Sequence, residues 1–149
     1  MRNDGTPYLA HPFRVAMSIS IRFGTSDEEV LAAALLHDVI EDCDIDYDDV
    51  CELFGSRVAD LVAVMTKDMR LEETIREVAY DKELADGPWE GRLIKLADVY
   101  DNYVDADSDR MKSKMKVRAS RILKLTKNDG CLQEARKQLA ELVEGAEEC

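Results

Sequence analysis

The run LAAALLHDVIED, from Leu31 to Asp42, places four ionisable side chains at the end of an otherwise apolar stretch. At helical spacing, His37 lies one turn from Glu41. Asp38 lies one turn from Asp42 in the same way, so an imidazole and three carboxylates share one helix end. Three neighbouring carboxylates repel one another unless a cation neutralises them. The pattern fits a divalent-metal site, but it also fits an acidic helix end beside an ordinary core histidine.

Two further residues can complete a metal site. The only other histidine of the chain, His11, precedes Pro12 at a predicted helix start. Asp98 belongs to a later helix, in the sequence LIKLAD. Taken singly, His11 fits a capping or core histidine and Asp98 fits a surface aspartate. Together, two imidazoles and two carboxylates from three helices form a ligand set that suits Mn²⁺, Fe²⁺ or Zn²⁺: His11, His37, Asp38 and Asp98.

Length and composition limit the class of protein. A chain of 149 residues is expected to form one domain, residues 1–149. It has no apolar run long enough to span a membrane and no signal peptide, so we expect a cytoplasmic protein. The net charge of −12 argues against general affinity for nucleic acid or anionic membranes. Four cysteines without a C-x-x-C pair indicate reduced thiols, to which we assign no function: Cys43, Cys51, Cys131 and Cys149.

Helical periods recur along the chain, and no β-strand period appears. The apolar side of the first helix is expected to consist of Phe13, Ala16, Met17 and Ser20 or Ile21. Ser26 and Glu29 have the spacing of a capping box before a second helix, which is apolar on all sides and is therefore expected at the centre of the fold. Later helices are predicted at about residues 46–54, from Ser56 onward, and at about 70–84, 92–102, 108–126 and 132–144. The sequence predicts an all-α domain.

The helix predicted at residues 92–102 has two distinct faces. Lys95, Asp98 and Asn102 fall on one face, at i, i+3 and i+7. The residues expected to pack inward are Leu93, Leu96 and Ala97. A polar stripe beside an apolar one is typical of a helix that lines a cleft. Lys95 fits either a phosphate-binding residue or a charged helix surface.

These motifs resemble the HD-domain metal phosphohydrolases, and within them the hydrolase domain of the RelA/SpoT enzymes and the small stand-alone homologues of the metazoan SpoT homologue 1 type. The matching stretches, from Arg2 to about Arg118, are GTPYLAHP (5–12), LLHDVIED (35–42), FG (54–55), VMT (64–66) and LIKLAD (93–98) with Asn102. The resemblance implies an HD-domain helical bundle that binds one Mn²⁺. It also implies hydrolysis of guanosine tetra- or pentaphosphate at the 3′-pyrophosphate, which gives GDP or GTP and pyrophosphate.

The same resemblance implies roles for individual residues. The implied metal ligands are His11, His37, Asp38 and Asp98. The acidic pair associated with the attacking water is Glu41 and Asp42. The implied substrate contacts are Arg2 at the guanine, Asn102 at the nucleoside and Arg118 at the phosphates, to which we add Lys95 as a candidate.

Two departures from the family pattern bear on the substrate. The family usually has another helix before the GTPY segment, and we expect this domain to lack it. Val104 stands where the family often has a basic residue.

Three functions stay open. They are a guanosine polyphosphate 3′-pyrophosphohydrolase, an HD phosphohydrolase of another nucleotide, and a non-catalytic module that binds the guanosine polyphosphate. The intact acidic pair favours an enzyme, because a binding module needs no water-activating residues. The sequence leaves the oligomeric state open.

Overall fold

The computed structural model describes residues 7–145 of the chain. Within this range the fold consists of helices and contains no strand, as the sequence predicts. The nine α-helices of the described residues are α1 (Ala10–Met17), α2 (Glu28–Leu36), α3 (Val39–Asp42), α4 (Tyr47–Phe54), α5 (Ser56–Met65), α6 (Glu73–Asp86), α7 (Trp89–Val104), α8 (Asp109–Leu125) and α9 (Gln133–Glu144). A π-helical turn, Ser18–Arg22, extends α1, and a 3₁₀ turn, Gly130–Leu132, precedes α9.

Helix α7 lies at the centre of the fold. Ten of its sixteen residues are buried, and it packs against α1, α2, α5, α6, α8 and α9. The prediction that Leu93, Leu96 and Ala97 face inward is confirmed, since all three are buried. Helix α2, which the sequence placed at the centre, packs mainly on α1 and α5 and leaves Leu35 exposed. The helix that carries Asp98 is therefore the one that most of the others surround.

The close approach of α5 and α7 depends on Gly91. A Cβ atom at Gly91 would lie 2.7 Å from Cγ2 of Val64 on α5, which is closer than real Cβ atoms come. The glycine therefore serves helix packing and does not break the chain. Helix α7 accordingly begins at Trp89, three residues before the predicted start at Arg92.

The buried side of α1 differs from the prediction. Of the residues expected inside, only Ala16 is buried, while Phe13 and Met17 are 51% and 56% exposed. Ser20 and Ile21 are exposed as well. The physical reason is the buried position of His11, which faces α7. Val15 and Ile19, one and two turns after His11, lie on the same face and enter the core with it. A polar partner thus decided which of two apolar faces turns inward.

The single helix predicted to run through to Asp42 is interrupted at His37. Helix α2 ends one residue before His37, and α3 begins one residue after Asp38. Nδ1 of His37 lies 2.8 Å from the carbonyl oxygen of Ala34. In a continuous helix that oxygen would accept from the N–H of Asp38, so the imidazole competes with the helix at this point. The acidic residues that follow therefore do not continue the face of α2.

Helix starts also shift by one residue from their predicted caps. The N-cap of α2 is Asp27 and not Ser26, and its carboxylate accepts from two backbone N–H groups of the first turn, at 3.0 and 3.3 Å. Gly55, with φ of 89°, precedes α5 where Ser56 was the predicted cap. Both helices keep their predicted places in the chain despite these shifts.

Three remaining expectations concern membranes, cysteines and the chain ends. Within residues 7–145, no helix is long and apolar enough to cross a membrane. The described cysteines, Cys43, Cys51 and Cys131, are free thiols, as expected. Arg2 and Cys149 lie outside the described residues.

Candidate metal centre

Three buried side chains from different segments meet beside the centre of the fold. His11 comes from α1, His37 follows α2, and Asp98 lies on α7. One ligand atom of each lies within 4.8 Å of those of the other two. Nε2 of His11 is 3.2 Å from Oδ1 of Asp98, and Nε2 of His37 is 3.8 Å from the same oxygen. Two ring nitrogens and a carboxylate oxygen form a donor set that divalent first-row metals accept.

His37 directs one ring nitrogen to this group. The residue is 1% exposed, and its Nδ1 donates to the carbonyl oxygen of Ala34, so in the neutral ring the lone pair lies on Nε2. This Nε2 is buried and makes no hydrogen bond within the described part of the chain, although Oδ2 of Asp38 lies 3.2 Å away. A buried ring nitrogen without a partner is costly, and a metal ion would satisfy it. The residues present therefore fit a divalent ion.

His11 is oriented by two residues to which the sequence analysis gave no role. Nδ1 of His11 donates to Oδ2 of the buried Asp101 at 2.6 Å. Arg14 holds the same carboxylate, with Nε 2.6 Å from Oδ1 and Nη2 2.9 Å from Oδ2. A carboxylate on the outer nitrogen fixes the tautomer and leaves Nε2 to bind a metal. Spacing is the signal that could have revealed the pair, because Asp101 follows Asp98 by one turn and Arg14 follows His11 by one turn.

Burial and neighbouring charges have opposite effects on the pKa of each of the three side chains, His11, His37 and Asp98. Burial lowers the pKa of His11, but hydrogen bonds to Asp101 and Asp98 outweigh it and raise the pKa to about 9. The pKa of His37 is raised against its burial by the neighbouring carboxylates. Burial acts to raise the pKa of Asp98, but Lys95 and the histidines hold it well below its usual value. Protons and a divalent ion therefore compete for these imidazoles.

The polar stripe predicted for α7 holds Asp98 in place. Nζ of Lys95 donates to Oδ2 at 2.9 Å, and Nδ2 of Asn102 donates to Oδ1 at 2.5 Å. The prediction of one shared face is confirmed. Nζ of Lys95 also lies 5.4 Å from the ring centre of Tyr80. Lys95 thus orients a candidate metal ligand, a role that the sequence analysis did not consider.

Asp38, predicted as a fourth ligand, lies at the edge of the group. Its Oδ2 is 3.2 Å from Nε2 of His37, but Asp38 is not part of the tight set of three. The hydroxyl of Tyr8 lies between two carboxylates, 3.1 Å from Oδ2 of Asp38 and in contact with Asp42. Burial and these carboxylates raise the pKa of Tyr8, so its hydroxyl stays protonated and donates. The sequence analysis gave Tyr8 no role.

The two acidic residues of α3 have different surroundings. Oε1 of Glu41 accepts from the backbone N–H of Lys67 at 2.6 Å, whereas Asp42 contacts Tyr8. Both carboxylates are exposed. The prediction that they share one crowded helix end with the imidazole is wrong in this respect, because the interruption at His37 turns them to separate partners.

A cavity of about 240 Å³ borders the group formed by His11, His37 and Asp98. The structure brings most of the predicted residues to it: His11, Asp38, Glu41, Asp98, Lys95, Asn102 and Arg118 line the wall. Tyr8 and Lys67 line it as well. His37 and Asp42 do not line it, and Arg2 lies outside the described residues. Within the described residues, the cavity therefore combines a candidate metal-ligand group with three cationic side chains, although the whole chain is acidic.

The fold and the site together indicate the class of protein to which the chain belongs. The described residues form an all-α domain around a buried His–His–Asp group. A family model of the HD domain matches residues 1–87, and the chain belongs to the HD domain family. The site is accordingly one for a divalent metal.

Several similar proteins share one name, which is more specific than that of the HD domain family. The guanosine-3′,5′-bis(diphosphate) 3′-pyrophosphohydrolase MESH1 of Drosophila melanogaster is 43% identical over 100 residues, which are 67% of this chain and 56% of that protein. The human protein of the same name is 38% identical over 102 residues, 68% of this chain and 57% of that protein. The chain thus spans just over half the length of these relatives.

A solved structure shows that the likeness extends through the fold. It is described as a metazoan ortholog of SpoT that hydrolyzes ppGpp and plays a role in starvation responses. The two structures superpose with a TM-score of 0.84 at 32% identity, covering 97% of this chain and 84% of the other. The family resemblance inferred from the sequence is confirmed.

Proposed function

We propose that this domain is a Mn²⁺-dependent hydrolase of guanosine 3′,5′-bis(pyrophosphate) and of the pentaphosphate, which removes the 3′-pyrophosphate and leaves GDP or GTP. The observation that carries the proposal is the buried His–His–Asp group beside a cavity that is also lined by Glu41 and Arg118. The names of the relatives support the choice of substrate. Fe²⁺ and Zn²⁺ are the alternative ions, because the same nitrogen and oxygen donors accept them.

Four residues are proposed to hold the ion: His11, His37 and Asp98 from the tight group, and Asp38 from its edge. When bound, a divalent ion lowers the pKa of water and polarises a phosphoryl oxygen. The groups that orient the ligands keep the metal-binding atoms directed at one point. Asp101 does so for His11, and Ala34 does so for His37 through its carbonyl oxygen.

Release of intact pyrophosphate requires water to attack the phosphorus that is joined to the ribose 3′-oxygen. A bond forms from the water oxygen to that phosphorus, the bond to the 3′-oxygen breaks, and the 3′-oxygen gains a proton. We assign Glu41 to take the proton of the water, because it lines the cavity and only its Oε1 has a hydrogen-bond partner among the described residues. Asp42 acts through Tyr8, whose hydroxyl also contacts Asp38.

A substrate with two pyrophosphate groups must be held against a net charge of −12. The cations that line the cavity are Lys67, Lys95 and Arg118. We assign the phosphates to Arg118 and Lys95, and the nucleoside to Asn102. Arg2, which lies outside the described residues, is proposed to pack against the guanine. The local cations and the metal then attract the phosphates more strongly than the net negative charge of the protein repels them.

The test is product analysis with metal-loaded protein. Guanosine 3′,5′-bis(pyrophosphate) is expected to give GDP and pyrophosphate on anion-exchange chromatography, and GTP is expected to stay intact. Asp98→Asn should abolish turnover, whereas Asp86→Asn, an exposed carboxylate at the end of α6, should not. Stepwise release of orthophosphate or cleavage of GTP would indicate an HD phosphohydrolase of another nucleotide. Binding without turnover would indicate a non-catalytic module.

A further inference from the structure

The segment that follows α5 supplies a backbone donor to the cavity. Thr66 leaves the helix with φ of −91° and ψ of 128°, and its hydroxyl closes the helix by donating to the carbonyl oxygen of Val62 at 2.9 Å. The N–H of Lys67 is thereby directed away from α5, and it donates to Oε1 of Glu41 at 2.6 Å. This donor is part of the main chain, so no pattern of side-chain types reveals it.

The side chain of Lys67 anchors the same segment to two other helices. Its Nζ lies 2.5 Å from Oε1 of Glu77 on α6 and 5.1 Å from the ring centre of Tyr80. The other oxygen of Glu77 pairs with Arg121 on α8 at 2.5 Å, and Arg121 pairs in turn with Asp81. These ion pairs are partly shielded from solvent, since Lys67 and Glu77 are 21% and 28% exposed. The position of the Lys67 peptide is therefore set by α6 and α8.

We propose that the Thr66–Lys67 peptide is a positioning group for Glu41. Its N–H holds one carboxylate oxygen of an otherwise exposed side chain at the cavity wall, and the other oxygen is left to accept a proton. A long exposed glutamate samples many rotamers, and a charge-assisted hydrogen bond to a fixed main-chain donor selects one of them. The inference rests on the proposed role of Glu41 in hydrolysis.

Proline at position 67 removes this N–H, and alanine keeps it. Thr66 already has the extended ψ that a residue before proline prefers, so the substitution suits the preceding backbone. Lys67→Ala is the matched control, because both variants lose the side chain and only Lys67→Pro loses the donor. We expect kcat of Lys67→Pro to fall about tenfold below that of Lys67→Ala, with KM within about threefold. Equal kcat values in the two variants would overturn the proposal.

A double-mutant cycle separates positioning from a general structural effect. In a Glu41→Ala background, Lys67→Pro and Lys67→Ala should turn over substrate at the same residual rate, because the donor has lost its target. A persistent tenfold difference there would contradict the proposal. If Lys67→Pro does not fold, Glu41→Asp replaces it. Its carboxylate is shorter by one methylene group, so we expect the contact with the N–H to be lost and kcat to fall by a similar factor. An unchanged kcat would count against the proposal.

Amide hydrogen exchange tests the contact without any turnover. In the full chain the N–H of Lys67 should exchange several-fold faster in Glu41→Ala than in wild type, while Glu52→Ala, an exposed glutamate on α4, should leave it unchanged. Unchanged exchange in Glu41→Ala would show that the contact is not formed and would overturn the positioning role. Faster exchange in a protein that hydrolyses no nucleotide would support the contact and reject the hydrolase proposal instead.

Discussion

The His–His–Asp group has two sides. The side formed by α1 and α7 is buried, whereas the side formed by α3 is exposed to solvent. On the buried side, His11 is held by Asp101 and Asp98 is held by Lys95. On the exposed side, Glu41 and Asp42 depend on contacts with one backbone N–H and one tyrosine hydroxyl. A metal site needs ligands that do not move, whereas a water and a substrate must be able to enter and leave.

The two sides also differ in what a substitution costs. Removing one partner of a buried ion pair strands the other charge and costs about 3–5 kcal/mol. Removing one partner of an exposed hydrogen bond costs about 0.5–1.5 kcal/mol. Substitutions on the buried side should therefore change metal binding and stability. Those on the exposed side should change turnover while stability stays near that of wild type.

The largest expected effect lies on the buried side. His37→Ala and Asp98→Ala each remove a ligand atom from a group of three, and each is expected to abolish metal binding. Wild type should retain about one ion per chain in elemental analysis after gel filtration. Asp86→Ala serves as the control for an unrelated carboxylate. If the variant that carries both substitutions still held one ion per chain, the buried side would not be the metal site, and the comparison of the two sides would fail.

The acidic pair on the exposed side should affect rate more than metal. Glu41→Gln and Asp42→Asn are expected to lower kcat by about 10²–10⁴-fold with metal content close to normal. In the proposed mechanism Glu41 takes the proton of the water and Asp42 acts through Tyr8, and neither holds the ion. Glu52→Gln is the matched control on an exposed helix. Wild-type turnover in both variants would show that the water-activating pair has been misplaced. A modest loss of metal in Asp42→Asn is compatible with its contact with Tyr8.

Asp101→Asn sharpens the description of the buried side. The amide keeps the shape of the side chain but removes the charge that orients His11, so metal affinity is expected to fall about 10–100-fold. At saturating metal, kcat should stay close to that of wild type. Competition with a chelator of known affinity measures the change, and Asp107→Asn, an exposed position just after α7, is the control. Unchanged affinity would show that the helix scaffold holds the imidazole without the carboxylate.

The smallest expected effect concerns substrate binding. Arg118→Ala removes a cation from the cavity wall and is expected to raise KM about tenfold with little change in kcat, if its contact is similar in ground and transition states. The difference from wild type should shrink as ionic strength rises. Steady-state kinetics at two salt concentrations measure both, with Arg110→Ala on the same helix as control. A loss confined to kcat would place Arg118 at the reacting phosphate.

The sequence was sufficient for those properties that depend on residue types and local spacing. It predicted an all-α domain, the family, and the candidate ligands His11, His37 and Asp98, which the structure brings together. It also predicted the polar face shared by Lys95 and Asn102. Helical periodicity reports such faces because it depends on neighbours within one helix.

Only the tertiary structure decided the contacts between helices. Burial of His11 against α7 chose the inward face of α1, and the imidazole of His37 interrupted a helix that the apolar pattern predicted as continuous. The partners of His11 and Glu41 lie 90 and 26 positions away along the chain, at Asp101 and Lys67. Such pairings depend on how helices cross and on where the main chain directs its N–H groups, and neither leaves a local signal in the sequence.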